Sequence, residues 1–489
     1  MASDHGIARF VFLRILALCL AFGFAALFEQ APGLIGENGI TPLREIMAQW
    51  QHDHGAAAYW QAPSLFWLSS AEWFVLVVAL LGLAAAALLF FGIAPRWCCI
   101  TAYIAWLSFR AIDGGIVRWF NFPFDDLQTE TVFLAIFIAP AVRWPWQRPP
   151  PLPRWVHWLV IWLLFRLLFG PGLAKVLFHP PWLELTAIGQ FLVTMPHPTP
   201  AAAWFHDLGP LPIALITGFT LGCELICPPL FFVPGWPRRI AAAIGIALMF
   251  GIQLVCNIRG FQLLTVGLLL LLWDDASLRR LLPARWRRER QPPAAPPPPR
   301  PWRRAAAAIT FTALVAATIR PTLAAFQQPL ARFSPTADAA AHAIAPLHLA
   351  GGYVMFCVMP DERLGLVVQG SRDGENWLDY RPRHLPTAVD HAPIWFAPYH
   401  DYLGFRLWLA PFCLPNQDGW LRALQQRLLA GEPSVEALFA DVPFAPSPPE
   451  QVRVAVCRFQ FAPAAARRSG TFWQRELMGI RVPAARRGE

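Results

Sequence analysis

The sequence predicts a polytopic α-helical membrane bundle of about nine spans, followed by a soluble β-rich α+β domain. Three observations predict it. Of the 489 residues, 56% are hydrophobic and the mean hydropathy is +0.41, above the roughly 45–50% apolar content usual in soluble proteins. The long uncharged runs are concentrated between Arg9 and Ile319. From Ala324 onward apolar residues instead alternate with Arg, Asp, Glu and Pro. The expected division is a membrane part over residues 1–322 and an exported part over 326–489, with a Pro- and Arg-rich cytoplasmic linker at 283–303 before the last span.

A helix crosses the hydrocarbon core with about 20 apolar residues, fewer when aromatic residues and arginines finish its ends. Runs of that kind lie at 9–28, 73–94, 97–116, 127–142, 155–178, 211–233, 239–256, 260–274 and 304–320; the fourth, eighth and ninth are short or Ala-rich. Arg96, then Arg143, Arg148 and Arg154, then Arg238 and Arg239, then the run from Arg279 to Arg304 occupy every second connection. Basic loops stay in the cytoplasm. The N-terminus is therefore placed inside, and loops 29–72, 117–126 and 179–210 and the C-terminal part outside. The first span lacks a small-residue cleavage site and reads as a signal anchor.

The formal charge of +9 points to no nucleic-acid partner, because the arginines of the membrane part sit in short loops where they set topology. Lys175 is the single lysine against a large arginine excess, a composition read as bacterial. The expected location is accordingly a bacterial inner membrane with the C-terminal domain in the periplasm. Six of the nine cysteines (Cys19, Cys98, Cys99, Cys223, Cys227, Cys256) lie in or beside apolar runs, as small hydrophobes do. Cys357, Cys413 and Cys457 leave room for one disulfide in the exported part.

That part reads as strands at 353–358, 365–371 and 452–461, with a helix at 419–430 whose Trp420, Leu421, Leu424, Leu428 and Leu429 share a face. It is expected to fold on its own.

Ordered motifs carry a resemblance. The first loop contains Gly33-Leu34-Ile35-Gly36-Glu37-Asn38-Gly39-Ile40-Thr41-Pro42. After the fifth span come Trp182, Leu185-Thr186-Ala187 and Thr194-Met195-Pro196-His197-Pro198-Thr199-Pro200. Asn257, Leu263-Leu264-Thr265 and Asp274-Asp275 follow, then Gly370-Ser371-Arg372-Asp373-Gly374, Trp377, Tyr380, Ala397-Pro398 and Trp408. In this order and over nearly the whole chain they are similar to lipase maturation factors, multi-span membrane proteins that help dimeric lipases become active. Gln262 stands where the family has Asn, and Met195 where it has Gln. The resemblance implies a membrane-anchored maturation or assembly factor for an exported client, plausibly a lipase or other hydrolase. It assigns family-motif loops to Gly36, Asn38, Gly39, Trp182, Thr186, Thr194, Pro196, Asp274 and Asp275, and exported-domain positions to Gly370, Ser371, Asp373, Gly374, Trp377 and Trp408. Glu37-Asn38-Gly39 is expected to form a tight turn, since Asn and Gly tolerate positive φ.

Ionisable side chains within spans are functional candidates because an unpaired one is costly in the bilayer. Arg14, Arg110, Glu130, Arg166 and Glu224, with Asn257, are the polar residues placed deepest, and Arg166 is expected to approach Glu224. Such residues either pin helices together or line a substrate or lipid site, and the second option keeps open a membrane enzyme that modifies lipids or exported proteins. A transporter is less favoured, for want of an inverted repeat. His52-Asp53-His54 and His197, His206 and Asp207 have metal-capable side chains, but their spacing defines no site, so no metal is assigned. No Walker loop, Gly-x-Ser-x-Gly elbow, His-Glu-x-x-His or dinucleotide fingerprint is present; no catalytic residue and no cofactor is assigned. The expected partners are the lipid bilayer and an exported client.

Overall fold

The computed structural model describes residues 5–113, 119–147, 149–281, 301–328, 332 and 334–488. The linker expected at 283–303 falls outside them up to residue 300, as does Arg148.

All nine expected spans are helical: α1 (Gly6–Ile35), α2 (Glu72–Phe91), α3 (Pro95–Ala111), α4 (Pro123–Ile138), α5 (Arg154–Phe178), α6 (Pro210–Leu230), α7 (Trp236–Val255), α8 (Phe261–Leu270) and α9 (Pro301–Ala317). Six stretches are long and apolar enough to cross a membrane, namely α1, α2, α5, α6, α7 and Arg304–Ala325, which joins α9 to Ile319–Ala325. Helices α3, α4 and α8 are shorter, with 17, 16 and 10 residues. Polar groups curtail the first two: Arg110 ends α3, and Asp125, Asp126, Gln128 and Glu130 fill the first half of α4. Six of the nine expected spans are thus long enough to cross by themselves, and the three short helices pack among them.

Each helix from α1 to α7 packs against the next, and α8 returns to α1, so eight helices close a ring in chain order; α9 lies outside it against α5. Small residues set the closest approaches. A Cβ on Gly82 would stand 2.3 Å from the Phe24 ring, so glycine lets α2 lie directly on α1. At the end of α2, Gly92 takes φ 76° and the N–H of Ile93 returns to Leu88 O, the left-handed close that glycine permits. With 30 residues, α1 is about 45 Å long, against a hydrocarbon core of about 30 Å. Its last turns therefore project beyond the apolar layer.

The C-terminal part contains an antiparallel sheet of β1 (Arg363–Ser371), β2 (Leu378–Pro382), β3 (Phe439–Asp441), β4 (Gln451–Phe461) and β5 (Trp473–Arg486), in the order β3-β2-β1-β4-β5. Central β1 pairs with β4 in register, Val368 opposite Val454. Helix α10 (Tyr402–Leu409) lies against β1, and α11 (Gly419–Leu429) against β4 and β5. The expected strands at 365–371 and 452–461 and the helix at 419–430 are present. The expected strand at 353–358 is not: it is irregular, with φ of 52° at both Tyr353 and Phe356. The run of apolar residues reads as a strand, but only Tyr353 is buried, and it is buried against the helices. All nine cysteines are free.

One apolar core runs through both parts, joining Leu27, Leu34 and Phe120 to Tyr402, Trp420 and Leu438. The sheet is seated on one end of the helical ring.

Candidate functional site

The buried charges of the ring are paired, but not as expected. Arg166 pairs with Glu130 on α4, and Lys175 with Glu224 on α6, its Nζ 2.6 Å from Glu224 Oε2. The expected Arg166–Glu224 approach is therefore overturned, and helical geometry gives the reason. Arg166 and Lys175 are nine positions apart on α5, which at 3.6 residues per turn is about 180° around the helix, so one faces α4 and the other α6. Lys175 Nζ also stands 4.7 Å from the centre of the Trp182 ring.

The C-terminal part completes the first pair. The Tyr353 hydroxyl and the Gly351 N–H both donate to Glu130 Oε2, while Arg166 Nη1 donates to Gly351 O at 3.0 Å. Arg110 donates to Phe120 O (2.6 Å) and pairs with Asp126. Arg14 lies at the half-exposed rim, 3.7 Å from the Phe10 ring centre. Arg259, in the short α7–α8 connection, is fully buried, pairs with Asp125 and lies over Trp106.

Beyond these pairs lies a polar seam where ring and sheet meet. Asn257 is its template: Nδ2 donates to Ile394 O (2.8 Å), and Oδ1 accepts the N–H groups of Phe396 (3.0 Å) and Ala397 (3.1 Å). An amide suits the task, because it offers donor and acceptor to an extended segment at once. Gln30, on the projecting end of α1, repeats the pattern by donating to His400 O and Tyr399 and accepting from the Tyr402 N–H. From the C-terminal side, Trp408 Nε1 donates to Thr194 O (2.8 Å), Arg363 to Met195 O and Pro196 O, and Arg427 to Gly39 O (3.1 Å). Trp119 and Trp420 meet edge to face, their centres 5.4 Å apart.

Behind this seam His197, His384, His400 and Asp401 gather around Phe396 and Phe405. Asp401 caps α10 through the Gly404 N–H (2.8 Å), and its other oxygen lies 3.5 Å from His384 Nδ1. Both ring nitrogens of His197 and Nε2 of His400 are buried without a hydrogen-bond partner. Burial pushes His197 down to about 4 and His400 well below the ordinary histidine range. Burial opposes ionisation of Asp401, but the His384 hydrogen bond and the nearby His197 hold its carboxyl below the usual value. Burial also lowers Arg363 to about 9. At the mouth a cavity of about 390 Å³ is lined by Glu29, Arg383, His384, Phe396 and Tyr399.

The remaining motif residues shape loops. Gly39 N–H closes a turn on Gly36 O (3.0 Å). Neither Asn38 nor Gly39 takes the positive φ expected of them; glycine is needed at 39 because a Cβ there would stand 2.8 Å from Gly36 N. At Gly36 a Cβ would meet Glu72 at 2.3 Å. The Thr186 N–H closes a turn on Pro181 O. Asp274 accepts the Ser277 N–H (2.7 Å), and Asp275 that of Ile7 (2.9 Å) at the start of α1. In the exposed turn after β1, Asp373 accepts from Ser371, Glu375 and Asn376, interactions that hold its carboxyl very low; Gly374 takes φ 81° and its carbonyl accepts from Trp377. A Cβ on Gly370 would meet Phe444 at 2.5 Å. His52-Asp53-His54 is exposed at the end of helix Leu43–His54, and among the described residues no three His, Cys, Asp or Glu side chains are placed so that they could hold a metal ion.

Two family profiles match in succession: the lipase maturation factor transmembrane domain over residues 7–280 and the lipase maturation factor C-terminal domain over 349–483. The chain belongs to the lipase maturation factor family. Its relatives include lipase maturation factor 1 of Mus musculus, 27% identical across 98% of this chain and 87% of that protein. Lipase maturation factor 2 of Rattus norvegicus is 26% identical across 100% and 84%. No solved structure matches. This family member is an integral membrane protein by its apolar helices and by its kinship. Of the residues that signalled the family in the sequence, Gly36, Gly39, Thr194, Pro196, Asn257 and Trp408 lie in or beside the seam. Sequence reasoning missed Gln30, Arg259, Tyr353, Arg363 and Asp401. For Lys175 a signal was present, as a single lysine inside an apolar run.

Proposed function

We propose that this family member is a membrane-anchored maturation factor that brings an exported lipase or related hydrolase to its active form, with the loops 29–72 and 179–210 and the C-terminal domain beside them as the surface on which the client is held. The observation that carries the proposal is the match of both family profiles in order along one chain, supported by relatives whose names are those of lipase maturation factors. The competing reading, an enzyme acting through intramembrane Arg and Glu, loses its support because Arg166, Lys175, Glu130 and Glu224 are engaged with one another. The test is a deletion strain. Exported lipase should be made in normal amount yet with lower specific activity, restored by the intact gene; normal lipase activity with altered envelope lipids would reject the proposal.

The arrangement in the cell belongs to the same proposal: a bacterial inner membrane, an N-terminus in the cytoplasm, a membrane part at 1–322 and a periplasmic part at 326–489. The alternating basic connections support it. Alkaline phosphatase fused after Arg332 should be active, and fused within 291–300 inactive; the reverse pattern would move the client surface to the cytoplasm.

A further inference from the structure

We infer that a second cavity, distinct from the one at the mouth of the seam, is a binding site for an anionic phospholipid of the surrounding bilayer. The cavity measures about 420 Å³ and lies between helix Pro200–His206 and the segment joining β4 to β5. Trp204, Phe461 and Phe472 line it together with Asp207, Arg467 and Arg468.

The charges are unequal in standing. Arg467 is committed to Asp207 and to Ala462 O. Arg468 has no carboxylate within ion-pair distance among the described residues, and its Nε reaches only Ala464 O at 3.4 Å. Once the Asp207–Arg467 pair has neutralised itself, the lining retains one positive charge beside three aromatic rings. A guanidinium forks onto two phosphate oxygens, and the rings provide an apolar surface for the glycerol and the first acyl carbons.

The position of the cavity selects a lipid. Helix α6, one of the spans, begins at Pro210, three residues after Asp207. Its first turns expose Leu211 (69%) and Leu215 (66%), as a lipid-facing surface does, and Trp204 is 60% exposed where interfacial tryptophans belong. These exposed leucines offer an acyl chain an apolar surface at the start of the span. A free phosphate ion would make no use of the aromatic wall, and an acidic peptide would have no reason to lie where a span enters the bilayer.

The experiment uses the full chain in nanodiscs containing a photoactivatable phosphatidylglycerol, with labelled peptides mapped by mass spectrometry. Label should fall on 200–207 and 461–472, and R468Q should lower it about fivefold, the factor expected for one arginine at an anionic surface. R372Q, at an exposed arginine elsewhere, should leave it unchanged. Trp204→Ser removes the aromatic wall and should lower labelling while Arg468 remains. Equal labelling by a phosphatidylcholine probe, or labelling indifferent to R468Q, would overturn the assignment. So would displacement of the lipid label by a glutamate-rich peptide but not by excess unlabelled phosphatidylglycerol, an outcome that gives the cavity to a protein partner.

Discussion

At the scale of single residues, the buried pairs decide more than their number suggests. Glu224→Leu leaves Lys175 charged among apolar neighbours, at a cost of about 2.5 kcal/mol or more. Replacing both residues by leucine removes the stranded charge as well as the attraction, so the double variant should recover most of the stability lost by the single one. Thermal denaturation of the detergent-solubilised chain checks this, and a double variant as unstable as Glu224→Leu would show that the pair does more than satisfy its own charges. Sequence reading went part of the way here. It placed Arg166, Glu130 and Glu224 inside the bundle, and the nine-residue offset between Arg166 and Lys175 already puts them on opposite faces of α5. What it lacked was which neighbour lies on which face, a property of the ring and not of any one helix.

Among the elements, the loop after α1 joins sequence signal to contact most directly. Gly39→Val would push a branched side chain against the Gly36 backbone and draw the turn away from Arg427. The spans are untouched, so the variant should reach the membrane in normal amount while exported lipase activity falls, as quantified by immunoblot and lipase assay in the same strain. The helices were legible because a run of apolar residues admits few readings. The segment at 353–358 misled because a short apolar run does not say how its residues are hidden; only Tyr353 is buried, covered by the helices with its hydroxyl held by Glu130. Strand β5 was missed for the opposite reason. It is an edge strand and largely exposed, so its apolar residues do not alternate with burial.

For the molecule as a whole, the seam predicts how ring and sheet depend on each other. A fragment beginning at Ala324 would uncover Tyr353, Trp408 and Trp420, all buried in the whole protein. Contrary to the expectation from sequence, it should therefore bind hydrophobic dyes and aggregate; a monomeric fragment with a cooperative melt would refute this. Acid should loosen the same seam. The folded values of His197 and His400 lie below the ordinary 6.5, so from about pH 6.5 toward pH 4 the unfolded chain binds protons that the folded chain refuses, and stability falls with pH. Asp401 adds a loss in the same direction only below its ordinary 3.8. The melting temperature should decline across pH 6.5–4, and His197→Phe should flatten the decline.

The Glu130–Arg166 pair has a consequence in time. Gly351 and Tyr353, which complete it, come 221 and 223 residues after Glu130 in the chain. Ribosomes add about 5–20 residues per second, so on the order of ten to forty seconds separate the making of the carboxylate from the arrival of its last hydrogen-bond donors. For that interval the ring is in the membrane with an acid only partly satisfied. A protein proposed to assist the maturation of others thus has an unfinished stage of its own, one that ends only when the beginning of its last third has been translated and docked.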